Sequence, residues 1–116
     1  MTKLLIIATS LFLQIQMTTN RGTLEVSKNI TEKFWVNGVC DMCQTRIQKA
    51  ALSVKGVKMA NWDIESKILT VIFNPEKCTL NDIKSKIASV GHDNDTYKAP
   101  DDVYDQLHSC CKYERI

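Results

Sequence analysis

Five cysteines stand in this chain of 116 residues: Cys40, Cys43, Cys78, Cys110 and Cys111. An odd number cannot pair off completely within one molecule, so at least one thiol has another use. The pair in Cys40-Asp41-Met42-Cys43 lies where a strand-like run gives way to a helix-like run. Two thiols three residues apart at such a junction can turn both sulfurs toward one point, and the free N–H groups and dipole of the helix start favour the thiolate. Arg46, one turn further on, is expected to help hold that negative charge. Thiolates are soft donors, suited to Cu(I) and Hg(II) and less strongly to Zn(II) and Cd(II). Two sulfurs leave the coordination shell open, so an incoming ligand can join before an old one leaves, which suits handing an ion over. The same spacing also serves thiol–disulfide exchange, and a thiol-disulfide oxidoreductase is the alternative reading of the pair.

The other chemically capable residues are more dispersed. Cys110 and Cys111 sit side by side near the C-terminus, two residues after His108. Neighbouring cysteines rarely bond to each other because the ring is strained, so each has another partner or none. A tail of about ten residues, partly helical, can climb back along the domain by ~15 Å. On a functional reading the two thiols, together with His108, add ligands to the ion at Cys40 and Cys43 or collect a second ion. The competing readings are a loose chain end or a disulfide to Cys78. A further reading takes Cys40, Cys43, Cys110 and Cys111 together as the four ligands of a structural zinc. His92 follows Gly91 on a loop expected to face the cysteine pair, as a ligand or as a tuning group, although a lone loop histidine is more often simply exposed. Cys78 reads as half-buried or disulfide-bonded, and Met42 and Met59 as packing residues before copper ligands. Asp101, Asp102 and Asp105 lack the glycine-bearing loop of a calcium site.

Alternating and helical periodicities supply the elements that must position these groups. Residues 31–37 place Phe34 and Val36 on one face, a period of two. Residues 43–55 repeat Ile47, Ala50, Ala51 and Val54 at the spacing of one helix face, with Gly56 as the stop. Residues 57–63 and 67–74 are two strands joined by a short turn. Thr79 with acid in the following turn starts a second helix, carrying Leu80, Ile83, Ile87 and Val90 on its apolar face. Residues 92–98 read as a last, polar strand, followed by a tail with a short helix near residues 103–107. The order βαββαβ is the α+β, ferredoxin-like plan: a four-stranded antiparallel sheet with two helices on one face, plus a C-terminal tail. That plan brings residues 38–42, the turn between the second and third strands, and residues 90–92 to one pole, and sends Cys78 to the other.

Composition narrows the function classes. With 15 Lys and Arg against 13 Asp and Glu, 44% hydrophobic and 24% charged residues, the chain reads as one ordinary globular domain. Its scattered charges give no stripe for nucleic acid. Residues 1–20 carry Lys3 and then an apolar run of about ten residues, the layout of a secretory signal peptide and too short to span a bilayer. The organisation expected is therefore a signal peptide at 1–20, a polar lead-in at 21–29, a metal-binding domain at 30–99 and a cysteine-bearing tail at 100–116. The mature chain would be secreted or periplasmic, without a stable membrane span.

The stretch Phe34-Trp35-Val36-Asn37-Gly38-Val39-Cys40-Asp41-Met42-Cys43, set in the βαββαβ order, resembles the heavy-metal-associated domain family over residues 30–98. That family includes copper chaperones, N-terminal domains of metal-exporting ATPases and the periplasmic mercury-binding protein. The resemblance implies that Cys40 and Cys43 bind Cu(I) or Hg(II), that the chain is not an enzyme, and that it passes the ion to a metal transporter or another metal-binding domain. The family's usual Gly-Met-x-Cys-x-x-Cys is shortened here to Gly38-Val39-Cys40 and lacks the Met. Val39 or Met42 is expected to fill the apolar pocket that the Met occupies. Thioredoxin-like exchange needs a proline loop opposite the cysteines, and Pro75 and Pro100 fall at the far pole of the inferred topology.

Overall fold

The computed structural model describes residues 28–116. The expected signal peptide and most of the polar lead-in lie outside the described residues. Strand β1 (Ile30–Trp35) leads through a short loop into helix α1 (Asp41–Ser53), followed by β2 (Val57–Trp62), β3 (Ile68–Phe73), α2 (Leu80–Ser89) and a short α3 (Asp101–Asp105). The sheet order is β1-β3-β2, with both pairs antiparallel. β3 is the central strand, and its alternation follows from that place. Leu69, Val71 and Phe73 are buried, whereas Ile68, Thr70 and Ile72 on the other face are only half-buried. Helices α1 and α2 cover the inner face with Ile47, Ala50 and Ala51 from one and Ile83, Ile87 and Ala88 from the other.

The ends of the helices follow from local chemistry. Thr79 Oγ1 accepts from the Asp82 N–H while the Asp82 carboxylate accepts from the Thr79 N–H, a reciprocal cap that fixes the start of α2. Gly56 ends the connection after α1 with φ of 102°, a left-handed conformation that any side chain would resist. A Cβ there would also stand 2.7 Å from Lys77 Cβ and 3.3 Å from Cys78 Sγ. Cys78 therefore packs at the pole opposite Cys40.

The expected fourth strand at residues 92–98 is not formed. Among the described residues the sheet has three strands, and this segment contributes one bridge, between Val36 and Asn94. Asn94 is the physical reason. Its Oδ1 accepts from the N–H groups of Thr96 and Tyr97, and its Nδ2 donates to the Lys84 carbonyl. A side chain that captures nearby backbone donors in this way curls the chain into a turn in place of a ladder.

The C-terminal tail is part of the packed domain. Leu107, Cys111 and Tyr113 join the buried core cluster, and the final turn, Ser109–Cys111, is a short 3-10 helix. The reading of a loose chain end is thereby corrected: the tail buries a large aromatic, and ordering it is offset by that burial.

Candidate metal centre

Cys40 is the N-cap of α1, in extended conformation, and its carbonyl accepts the Gln44 N–H at 3.0 Å. Cys43 lies in the first turn of the helix with its side chain facing inward, fully buried. The junction thus gives one thiol at the surface edge and one beneath it. Their sulfurs are 3.5 Å apart.

The helix start is held to the sheet by two glutamines that lie off the apolar stripe of α1. Gln48 Oε1 accepts from the Trp62 N–H at 3.0 Å, and Gln44 Nε2 donates to the Trp62 carbonyl at 2.8 Å. Trp62 is itself buried, with its indole N–H donating to the Val36 carbonyl. Its ring edge lies against Gly38, where an added Cβ would stand 3.0 Å from Trp62 Cη2 and 3.0 Å from Cys43 Cβ. This close approach explains the glycine. It also corrects the expectation that Val39 or Met42 fills an apolar pocket: both are exposed, at 44% and 43%. The indole of Trp62 packs beneath the loop.

The tail delivers the remaining sulfurs. Cys111 Sγ is 3.3 Å from Cys40 Sγ, and Cys43 Sγ is 4.0 Å from the Cys111 carbonyl oxygen. Cys110 Sγ lies 4.0 Å from Cys111 Sγ and 3.4 Å from the Met42 sulfur. The thiols of Cys40, Cys110 and Cys111 all fall within 4.8 Å of one another. All five cysteines are free thiols, so the alternative of a disulfide to Cys78 is not realised.

The two histidines are placed differently. His92 is not on an exposed loop facing the pair; it is completely buried. Its Nδ1 lies 2.9 Å from the Asn37 carbonyl, and its ring stacks on Tyr113 at 5.6 Å. Because a carbonyl only accepts, Nδ1 carries the proton and Nε2 is a bare acceptor with no partner. His108 is exposed and its carbonyl accepts the Cys111 N–H; its ring is not in the sulfur group. Among the described residues, then, the structure groups Cys40, Cys110 and Cys111, sets Cys43 beside Cys40, and leaves His92 and His108 outside.

The thiols are electrostatically unequal. Burial raises the Cys40 thiol, but the backbone N–H groups of Cys43 and Met42 and the thiols of Cys111 and Cys43 outweigh it and bring it down to about 7. Burial dominates at Cys43 and pushes it up to about 12. Cys110 is raised, by desolvation and by the neighbouring Cys111 and Cys40. Arg46 Nη1 is buried without a partner, and its charge helps to lower the His92 pKa. Asn37 was not singled out by its sequence context, yet it ties three segments together. Its backbone N–H donates to Asp93, its carbonyl receives His92, and its side-chain Nδ2 donates to the Glu114 carbonyl in the tail.

Comparison with known proteins places this geometry. A model of the heavy-metal-associated domain matches residues 33–93, just over half of the chain. Among solved structures, a CopZ metallochaperone aligns with a TM-score of 0.55 at 24% identity, covering 56% of this chain and 98% of that one. Oxidized MerP from Ralstonia metallidurans CH34 aligns with a TM-score of 0.55 at 24% identity, covering 57% and 93%. The N-terminal domain of a potential copper-translocating P-type ATPase from Bacillus subtilis, in its Cu(I)-loaded state, aligns with a TM-score of 0.54 at 25% identity, covering 57% and 84%. A search of curated proteins found no match. No helix among the described residues is long and apolar enough to cross a membrane.

Proposed function

The chain belongs to the heavy-metal-associated domain family, and on that premise we propose that it binds a soft metal ion, Cu(I) or Hg(II), through Cys40 and Cys43 and acts as a metal chaperone or scavenger. The observation that carries this reading is the Cys40–Cys43 sulfur pair, 3.5 Å apart at the start of α1, in a fold shared with a metallochaperone and a Cu(I)-loaded ATPase domain. The Cys40 thiol, brought down to about 7, ionises more readily than the Cys43 thiol and makes the first bond to an incoming ion. Cys43 then releases its proton to solvent as its sulfur bonds the ion, since a bound cation overrides the cost of burying the thiolate. The receiver is a metal transporter or a second metal-binding domain presenting its own thiolates. The apolar run after Lys3 supports work outside the cytoplasm, in a secreted or periplasmic setting where a Cys40–Cys43 disulfide competes with metal.

The test is anaerobic competitive titration of the reduced chain with Cu(I) and Hg(II). One ion per chain, lost in Cys40→Ser and Cys43→Ser, is the expected result; a wild type that binds neither ion overturns the proposal. One observation favours a second reading: an accessible, acidified Cys40 over a buried Cys43 is also the asymmetry of a dithiol exchange centre. Insulin reduction at rates far above free dithiol, with only weak metal binding, would select it.

A further inference from the structure

We propose that Cys111 and Cys110 are built into this centre as additional thiolate ligands, so that the tail closes over the Cys40–Cys43 pair and makes a three- or four-sulfur site. The inference rests on the reading that Cys40 and Cys43 take the metal. It concerns which ions are held, and how firmly.

Sulfur spacing is the first argument. With zinc–sulfur bonds of roughly 2.3 Å, thiolates of a tetrahedral shell stand about 3.8 Å apart, and two thiolates in line across such an ion about 4.6 Å. The adjacent pairs here are 3.5 Å for Cys40–Cys43, 3.3 Å for Cys40–Cys111 and 4.0 Å for Cys110–Cys111. They bracket the tetrahedral value and fall short of the linear one. Small rotations of the Cβ–Sγ bonds separate what a shared ion needs.

The second argument is that the tail is fixed independently of any sulfur. Tyr113 is 1% exposed; its hydroxyl accepts from the Asp93 N–H at 2.9 Å and donates to the Gly91 carbonyl at 2.6 Å. Tyr104 donates to the Tyr113 carbonyl and packs edge-on against its ring. Arg115 grips both oxygens of Asp93, at 2.9 and 2.8 Å, and the Asn37 side chain holds Glu114. Tyr113 and Arg115 follow Cys111 by two and four residues, so this clasp sets the sulfur position. A free dithiolate is open to a partner's incoming thiolates. Here Cys111 and Cys110 occupy part of that open side, and hand-over requires the clasp to yield. Relative to a bare pair, the enclosed site favours ions that accept three or four thiolates, Cd(II) and Zn(II), over those satisfied by two.

The experiment uses the reduced full chain and Cd(II) as probe ion. X-ray absorption is expected to count three or four sulfurs around Cd(II) in the wild type and two in Cys110→Ser/Cys111→Ser. Cd(II) affinity in that variant should fall by at least the roughly tenfold to hundredfold that loss of a supporting contact costs a metal site. Tyr113→Phe keeps every sulfur and should release Cd(II) to a chelator several-fold faster. Because Cys111 is buried and its loss can impair folding, alkylation of the wild type provides a second measure. Cd(II) should protect the tail thiols together with Cys40 and Cys43. An unchanged sulfur count and affinity in the double variant, or tail thiols as reactive with Cd(II) as without it, overturns the proposal. Failure of the parent reading looks different: no binding by wild type, or binding indifferent to Cys40→Ser and Cys43→Ser.

Discussion

Mild acid should loosen this domain through one residue, His92, well before its carboxylates titrate. The imidazole is buried beneath the tail, with Nδ1–H donating to the Asn37 carbonyl, Nε2 without a partner, and Tyr113 stacked on one face. Protonation would put a second N–H where no acceptor waits. Burial lowers its pKa from 6.5 to about 4; the Asn37 bond and the Asp93 charge oppose the shift, and the Arg46 charge reinforces it. The sign follows from linkage: the folded pKa lies below the unfolded one, so the unfolded chain takes up the proton first. The stabilisation is complete above pH 6.5 and drains away as pH falls toward 4. A displacement from 6.5 to about 4 corresponds to about 3 kcal/mol by pH 4, or roughly 12–24 °C in Tm for a domain of this size. His92→Asn supplies a donor at the Nδ1 position and cannot titrate. Urea unfolding of metal-free, reduced protein between pH 7 and 4 should show the wild type losing about 3 kcal/mol more than this variant over that interval. Parallel stability curves for the two proteins would refute the reasoning.

Three further outcomes follow from other parts of the molecule. In metal-free protein at pH 7, iodoacetamide should modify Cys40 first and Cys43 last, read by peptide mass spectrometry, because the former thiol is brought down to about 7 and the latter pushed up to about 12. Gly38→Ala presses a Cβ to 3.0 Å from both Cys43 Cβ and Trp62 Cη2; it should cost about 1–3 kcal/mol of stability in denaturant unfolding and weaken metal binding as the cysteine pair is displaced. Thr79→Ala removes the acceptor for the Asp82 N–H at the opposite pole; it should lower stability by about 1 kcal/mol while leaving metal affinity at the wild-type value in the same titration.

The cysteine pair at a strand-to-helix junction, the two apolar helix faces, the three strands and the Thr79 cap were all legible in the sequence. Each is a local pattern: a period of two or 3.6, or a side chain reaching its own neighbouring backbone. The fourth strand failed for a local reason of another kind, since Asn94 competes for backbone donors in a segment whose alternation is weak. The burial of His92 and the role of Asn37 were not legible, because both depend on a tail more than ten residues away in sequence folding back over them.

The residues alone determined that a dithiol would sit at the start of α1 and which faces of the first strand and the two helices carry the apolar residues, because those outcomes depend on neighbours within a few positions. Whether the tail thiols would reach that dithiol was decided only in three dimensions. Cys111 comes within 3.3 Å of Cys40 across a separation of 71 residues. Tyr113 and Arg115 find their partners at Gly91 and Asp93 only after the helices have packed on the sheet, and contacts between such distant segments leave no periodic trace in the chain.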